Sequence, residues 1–171
     1  FGRSIAGIGD IDSDNIPDLA VGDPNEVNGQ IHLLTLNASG SVTSTTTIDD
    51  SDLAGVTFDS GDQFGSAIAN VGDIDNDGFT DLAVGAMSYD GGAMDPYGRV
   101  YILLMGDSGT VDSNVILDKD NGGLPGAFSS SQFGRSIAGI GDIDSDNIPD
   151  LAVGDPNEVN GQIHLLTLNA S

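Results

Sequence analysis

A chain of 171 residues is long enough for one or two domains, and its 38% hydrophobic content can build a core. It carries 27 acidic residues against 4 basic ones, a formal charge of −23, which repels phosphate backbones and anionic lipid and so excludes nucleic-acid binding and docking on an acidic membrane. Cysteine is absent, removing disulfides, thiolate metal sites and cysteine nucleophiles, and no apolar run approaches the roughly 20 residues of a membrane-inserted helix.

Short apolar or β-branched runs bounded by Gly, Asp and Asn predict strands in chain order. Ser4–Gly9, Asp18–Gly22, Gln30–Leu36 and the Thr-rich outer strand Val42–Ile48 form a first set. Ala67–Gly72, Asp81–Gly85, Arg99–Met105 and Val111–Leu117 form a second. A third set repeats the first three strands of the pattern and stops before the fourth. No amphipathic helix interrupts them.

These sets coincide with an internal repeat. Residues 1–39 and 133–171 are identical at every position, and FGSAIANVGDIDNDGFTDLAVGA from Phe64 is a diverged copy of FGRSIAGIGDIDSDNIPDLAVGD from Phe1. The repeats are therefore 1–63, 64–132 and a partial 133–171. Four short strands per repeat predict an all-β chain of β-propeller blades, each a four-stranded antiparallel sheet, with two blades complete and most of a third. Cores tolerate substitution when volume and pattern are kept, so identity over 39 positions exceeds what packing demands. A recent duplication, a window on a long array and deliberate engineering each account for it. The chain opens on Phe1-Gly2 in mid-pattern, which reads as a piece whose targeting signal lies elsewhere.

The kind of acid is informative. Only Glu26 and Glu158 are glutamate; the rest are aspartate, the short carboxylate of turns and calcium loops. After the first strand of each repeat, Asp stands at relative positions 1, 3, 5 and 9: Asp10, Asp12, Asp14 and Asp18; Asp73, Asp75, Asp77 and Asp81; Asp142, Asp144, Asp146 and Asp150. Four carboxylates within nine residues, with no Lys or Arg among them, repel unless a hard cation joins them. Calcium takes six to eight oxygens, and odd positions of a tight loop point inward. Position 6 is Gly78, Asn15 or Asn147, the residues most tolerant of positive φ. Position 7 (Ile16, Phe79 or Ile148) would lend a backbone carbonyl. Magnesium demands a stricter octahedron, and zinc would want His or Cys. The expectation is one Ca²⁺ per repeat, three per chain, against a bland alternative of Asp-rich turns without metal.

With its Phe-Gly openings at Phe1, Phe64 and Phe133 and its D-x-D-x-D-x-x-x-D loops, the whole chain resembles the FG-GAP repeat family, the blades of integrin-α-type β-propellers. That family's closing Gly-Ala-Pro is altered here to Gly22-Asp23-Pro24, Gly85-Ala86-Met87 and Gly154-Asp155-Pro156. The resemblance implies a calcium-stabilised propeller outside the cell or on its surface, used for adhesion through a protein or glycan ligand. Such propellers close with about seven blades. Two and three-quarter blades therefore predict completion by other copies, as a homo-oligomer or a filament, or by further repeats.

Other candidates read as structural. His32 and His164 align with Tyr101, so they belong to a strand face rather than to catalysis; Arg3, Arg99 and Arg135 read as surface or loop-pairing groups; and Ser4 lacks a G-x-S-x-G context. Asn37 and Asn169 begin N-x-S glycosylation sequons, and the longer loop Ser88–Tyr97, with Tyr89, Met94 and Tyr97, is a candidate contact surface. An enzyme would show a His, Lys, Arg, Tyr or Glu constellation that breaks the repeat, and none stands out. The leading expectation is a non-enzymatic adhesion or assembly module. The alternatives are a repeat scaffold with no ligand beyond calcium, and the propeller part of a polysaccharide-acting enzyme.

Overall fold

A computed structural model describes residues 1–92, 96–122, 131–157 and 160–169. These residues form three antiparallel sheets. The first contains β1 (Ile5–Gly9), β2 (Asp18–Asp23), β3 (Gln30–Leu36) and β4 (Val42–Ile48) in that spatial order. The second contains β5 (Phe64–Gly72), β6 (Asp81–Ala86), β7 (Arg99–Met105) and β8 (Val111–Leu117), and the third β9 (Ser136–Gly141), β10 (Asp150–Asp155) and β11 (Gln162–Leu166). The only helical segments among the described residues are 3₁₀ turns at Asp50–Asp52 and Asp107–Gly109. This is the all-β, three-blade arrangement expected from the repeats, stacked in sequence without closing into a ring.

Strands β3, β4, β7 and β8 run over the expected residues, but β5 starts at Phe64 rather than Ala67. The difference arises where blades meet. Phe64 pairs with Ala86 of its own sheet and also forms a parallel bridge to Gly29 of the preceding blade. Phe133 bridges Gly98 in the same way.

Strand alternation explains how the middle blade serves two neighbours. On β6 and β7, Leu82, Val84, Tyr101 and Leu103 face the first blade and join Ile8, Ile31, Leu33 and Phe64 in one core. The intervening Ala83, Val100 and Ile102 face the third blade and join Phe133, Ile148, Leu151 and Val153 in a second core. Every residue of β6 is consequently buried. Phe58, from the connection between blades, stacks on Phe64 at 4.5 Å and meets Tyr101 edge-on at 5.6 Å. At the outer edge, β4 is exposed over its first six residues, as its Thr and Ser content demands.

Glycine makes the close stacking possible. A Cβ on Gly22 would stand 2.0 Å from the carbonyl oxygen of Gly65, and one on Gly85 would stand 2.1 Å from that of Gly134. The Phe-Gly openings are thus inter-blade wedges: the ring fills the core while the glycine lets two backbones touch. Ser4 adds a polar tie, its Oγ donating to the Gly65 carbonyl at 2.8 Å.

Candidate metal centre

Each Asp loop leaves its first strand through a glycine of positive φ (Gly9, Gly72 or Gly141) and turns with two left-handed residues. Position 6 is left-handed as anticipated: Asn15 has φ 67°, Gly78 96° and Asn147 70°. Position 4 is left-handed too, at Ser13, Asn76 and Ser145, a second reversal that the spacing of aspartates does not reveal. The alternation folds the loop tightly enough to converge its carboxylates.

The four aspartates of each loop have different surroundings. The first gathers loop amides: Asp10 accepts from Asp14 N at 3.0 Å and Asn15 N at 2.7 Å, and Asp73 accepts from Asp77 N at 3.1 Å and Gly78 N at 2.9 Å. Asp142 repeats the pattern with Asp146 N at 3.2 Å and Asn147 N at 2.9 Å. The third-position Asp12, Asp75 and Asp144 are exposed. The fifth-position Asp14, Asp77 and Asp146 each accept the position-7 amide at 2.8 Å through Oδ1.

The ninth-position aspartate is the buried anchor, with no solvent exposure in any of the three repeats. Asp81 accepts from Ile74 N at 2.7 Å and from Met105 N at 2.8 Å, which ties the loop to the end of β7. Asp18 does the same with Ile11 N and Leu36 N, and Asp150 with Ile143 N and Leu168 N. Sequence spacing identified these aspartates but missed their second partners, which lie about twenty residues later, at or just past the end of the third strand of each sheet. The available signal was the position itself, an Asp opening the Leu-Ala-Val-Gly strand.

In each loop the first, third and ninth carboxylates offer oxygens within 4.8 Å of one another: Asp10, Asp12 and Asp18; Asp73, Asp75 and Asp81; Asp142, Asp144 and Asp150. The fifth-position carboxylate stands outside these trios, engaged with the position-7 amide. None of the ion pairs among the described residues involves a loop carboxylate. Burial pushes the Asp81 carboxyl up to about 6, against the opposing pull of its two amide donors. Asp12 and Asp144 are also raised, by local desolvation and then by neighbouring carboxylates, Asp14 and Asp18 for one and Asp146 and Asp150 for the other. A donor set made only of hard oxygens, crowded and without a cationic side chain, suits a calcium-like ion.

The remaining candidates are structural. Tyr101 is fully buried, His32 lies 5.3 Å from the Phe1 ring, and His164 lies 5.3 Å from the Phe133 ring. Arg99, expected as a surface or loop-pairing group, is a half-buried hub: it pairs with buried Asp118, just past β8, at 2.5 Å and stacks over the Tyr89 ring at 3.5 Å. Tyr97 is buried against the partly buried Tyr89, and Met94 lies outside the described residues. Asn37 Oδ1 accepts from Ser39 N and Ser41 N, holding the turn after β3, while the second sequon extends past the described residues.

The FG-GAP repeat profile matches residues 1–34, 64–103 and 133–166. Among curated proteins, the chain is 37% identical to integrin alpha-6 of Gallus gallus over 161 residues, covering 90% of this chain and 13% of that protein. It is 35% identical to integrin alpha-V of Gallus gallus over 167 residues, or 90% of this chain and 14% of the relative. It is also 41% identical to a phosphatidylinositol-glycan-specific phospholipase D of Rattus norvegicus over 100 residues, 58% of this chain and 11% of that protein. The chain therefore spans only about a tenth to a seventh of the length of these relatives. No helix among the described residues is long and apolar enough to cross a membrane. Three profile matches laid over three stacked antiparallel sheets establish that the chain belongs to the FG-GAP repeat family, as propeller blades of the integrin-α type.

Proposed function

We propose that the chain is a non-enzymatic, calcium-binding propeller module of an extracellular or cell-surface protein, serving adhesion to a protein or glycan ligand, or assembly with further copies. The observation that carries this reading is the threefold convergence of carboxylates within 4.8 Å without a cationic partner. In each repeat the ligands are the four aspartates, with Asp14, Asp77 and Asp146 contributing Oδ2, together with the carbonyls of Ile16, Phe79 and Ile148. One Ca²⁺ per loop offsets half of the charge of its four carboxylates and joins the loop to the strand that the ninth aspartate anchors. The role is structural. The loop aspartates recur from repeat to repeat, and the polar cluster peculiar to the middle repeat, Arg99 with Asp118 and Tyr89, is engaged in an ion pair and ring stacking, so neither supports a catalytic reading.

For extracellular-type sites with a dissociation constant near 10⁻⁴ M, millimolar calcium stabilises the fold by about 1.4 kcal/mol per site. Three sites contribute roughly 4 kcal/mol, comparable to the net stability of a small domain. The test replaces Asp12, Asp75 and Asp144 together by Asn, which keeps the shape of the loop while removing three exposed charges. The triple variant should lose most of its calcium-dependent rise in melting temperature yet melt no lower than the parent in chelator, because carboxylate repulsion falls as well. An unchanged calcium response would overturn the assignment.

A further inference from the structure

Successive aspartate loops meet where the blades stack, and the two junctions differ. Between blades 2 and 3 the contact is tight. A Cβ on Gly72, the residue before Asp73, would stand 2.9 Å from Cγ of Pro149, the residue before Asp150. Ile74 and Ile148, the second residue of one loop and the seventh of the next, are buried in the same core. Between blades 1 and 2 the junction is looser. A Cβ on Gly9 would stand 3.7 Å from Thr80 Oγ1, an ordinary van der Waals distance. A cavity of about 60 Å³ has Asp10 and Ile11 on one side and Gly78, Phe79 and Thr80 on the other. Phe79 is half-buried where its counterpart Ile148 is buried.

The residues of the tight junction are also the ones tied to carboxylates. Ile74 N donates to Asp81 at 2.7 Å, and Ile148 N donates to Asp146 at 2.8 Å. Gly72 leads directly into Asp73, and Pro149 into the fully buried Asp150. Whatever fixes the carboxylates of the third loop therefore fixes the wall against which the second loop packs, and the converse holds. Neither loop contains Lys or Arg, so repulsion among four carboxylates loosens each until a cation joins them.

We propose that Ile148 and Pro149 position the second and third loops for each other, so that a cation in one raises the affinity of the other, while the first loop binds nearly independently. The inference rests on the calcium reading of these loops and deepens it. A cation stabilises the ordered form of its own loop, and that form presents its neighbour with a fixed wall at Ile74 and Gly72 on one side or at Ile148 and Pro149 on the other. Linkage makes the effect reciprocal, and couplings of this kind are typically about 5- to 150-fold. Repulsion between the two ions opposes it, and physiological salt screens that repulsion beyond about 8 Å.

Calorimetric titration with calcium in physiological salt reads the coupling. Asp12→Asn, Asp75→Asn and Asp144→Asn each disable one loop through an exposed carboxylate, and combining two of them leaves one loop active. D12N keeps the second and third loops. The product of its two stepwise binding constants should exceed the product of the single-loop constants, from D12N/D144N and D12N/D75N, by at least about fivefold. D144N keeps the first and second loops, and the corresponding ratio, with D75N/D144N supplying the first loop alone, should stay below about twofold. Pro149→Ala throughout the D12N series removes the Cγ contact with Gly72 and should lower the larger ratio at least about twofold. Melting curves in chelator check that every variant is folded. Equal ratios for the two pairs, or a ratio that Pro149→Ala leaves intact, would overturn the proposal. The two readings fail differently: a folded parent chain that binds no calcium sinks the metal assignment and the coupling with it, while three ions bound independently sink the coupling alone.

Discussion

Segments 1–37 and 133–169 share one sequence and sit in opposite surroundings. The first buries Ile31 and Leu33 against the middle blade and leaves Phe1 in water; the second buries Phe133 and Leu151 against the middle blade and leaves Ile163 and Leu165 in water. Both keep the same three-strand order, the same bounds for the middle strand, the same left-handed loop residues and the same buried ninth aspartate. The blade itself is therefore set by local sequence, through strand alternation and turn chemistry, while burial is set by neighbours. An FG-GAP blade behaves as a two-sided tile, with a wedge on one side and a seat on the other.

Substitution of the three wedge phenylalanines breaks the comparison most sharply. Phe64→Ala or Phe133→Ala should cost about 3–5 kcal/mol in a urea titration, whereas Phe1→Ala should cost under about 0.5 kcal/mol. Equal losses at all three positions would mean that the blades do not pack as described. The glycines of the seat give the next largest contrast. Gly85→Ala places a methyl 2.1 Å from the backbone oxygen of Gly134 and should cost about 1–3 kcal/mol or more. Gly154→Ala meets only the Ser136 hydroxyl at 2.3 Å, which can rotate away, so its cost should stay below about 1 kcal/mol.

The smallest effect concerns pH. Burial raises the carboxyls of Asp62, at the end of the first repeat, and Asp81, in the second, to about 6 from an ordinary 3.8. The folded chain then holds protons that the unfolded chain has released, so without calcium stability should increase as pH falls from about 7 towards 4. Asp62→Asn should flatten part of that slope, since Asp62 stands outside the metal loops. In millimolar calcium the gain should shrink or reverse, because protons compete with the ion for Asp81. Denaturation midpoints at several pH values, with chelator and with calcium, check the sign.

Most of the fold was legible because the repeat states its own rules three times. The bounds of β3, β4, β7 and β8 followed from β-branched runs ending in Gly, Asp or Asn. The loops were legible from carboxylates at a fixed spacing that mutual repulsion makes costly without a cation. What stayed hidden depends on partners distant in sequence. The Arg99–Asp118 pair crosses from β7 to the residue after β8, where no periodic signal points. Tyr89 and Tyr97 resemble exposed loop aromatics until the guanidinium of Arg99 and a neighbouring ring cover them. Phe58 comes from a connection with no strand signal and still fills the first core. The opposed burial of Ile31 and Ile163 could not be read from sequence at all, since the segments carrying them are identical.

Native mass spectrometry of the chain after exchange into millimolar calcium tests the central claim most directly, because it counts the ions each chain retains. The account predicts three Ca²⁺ per chain, falling to none in the Asp12, Asp75 and Asp144 triple Asn variant. A parent chain that holds no calcium while remaining folded would contradict it, and would make the three aspartate loops turns and nothing more.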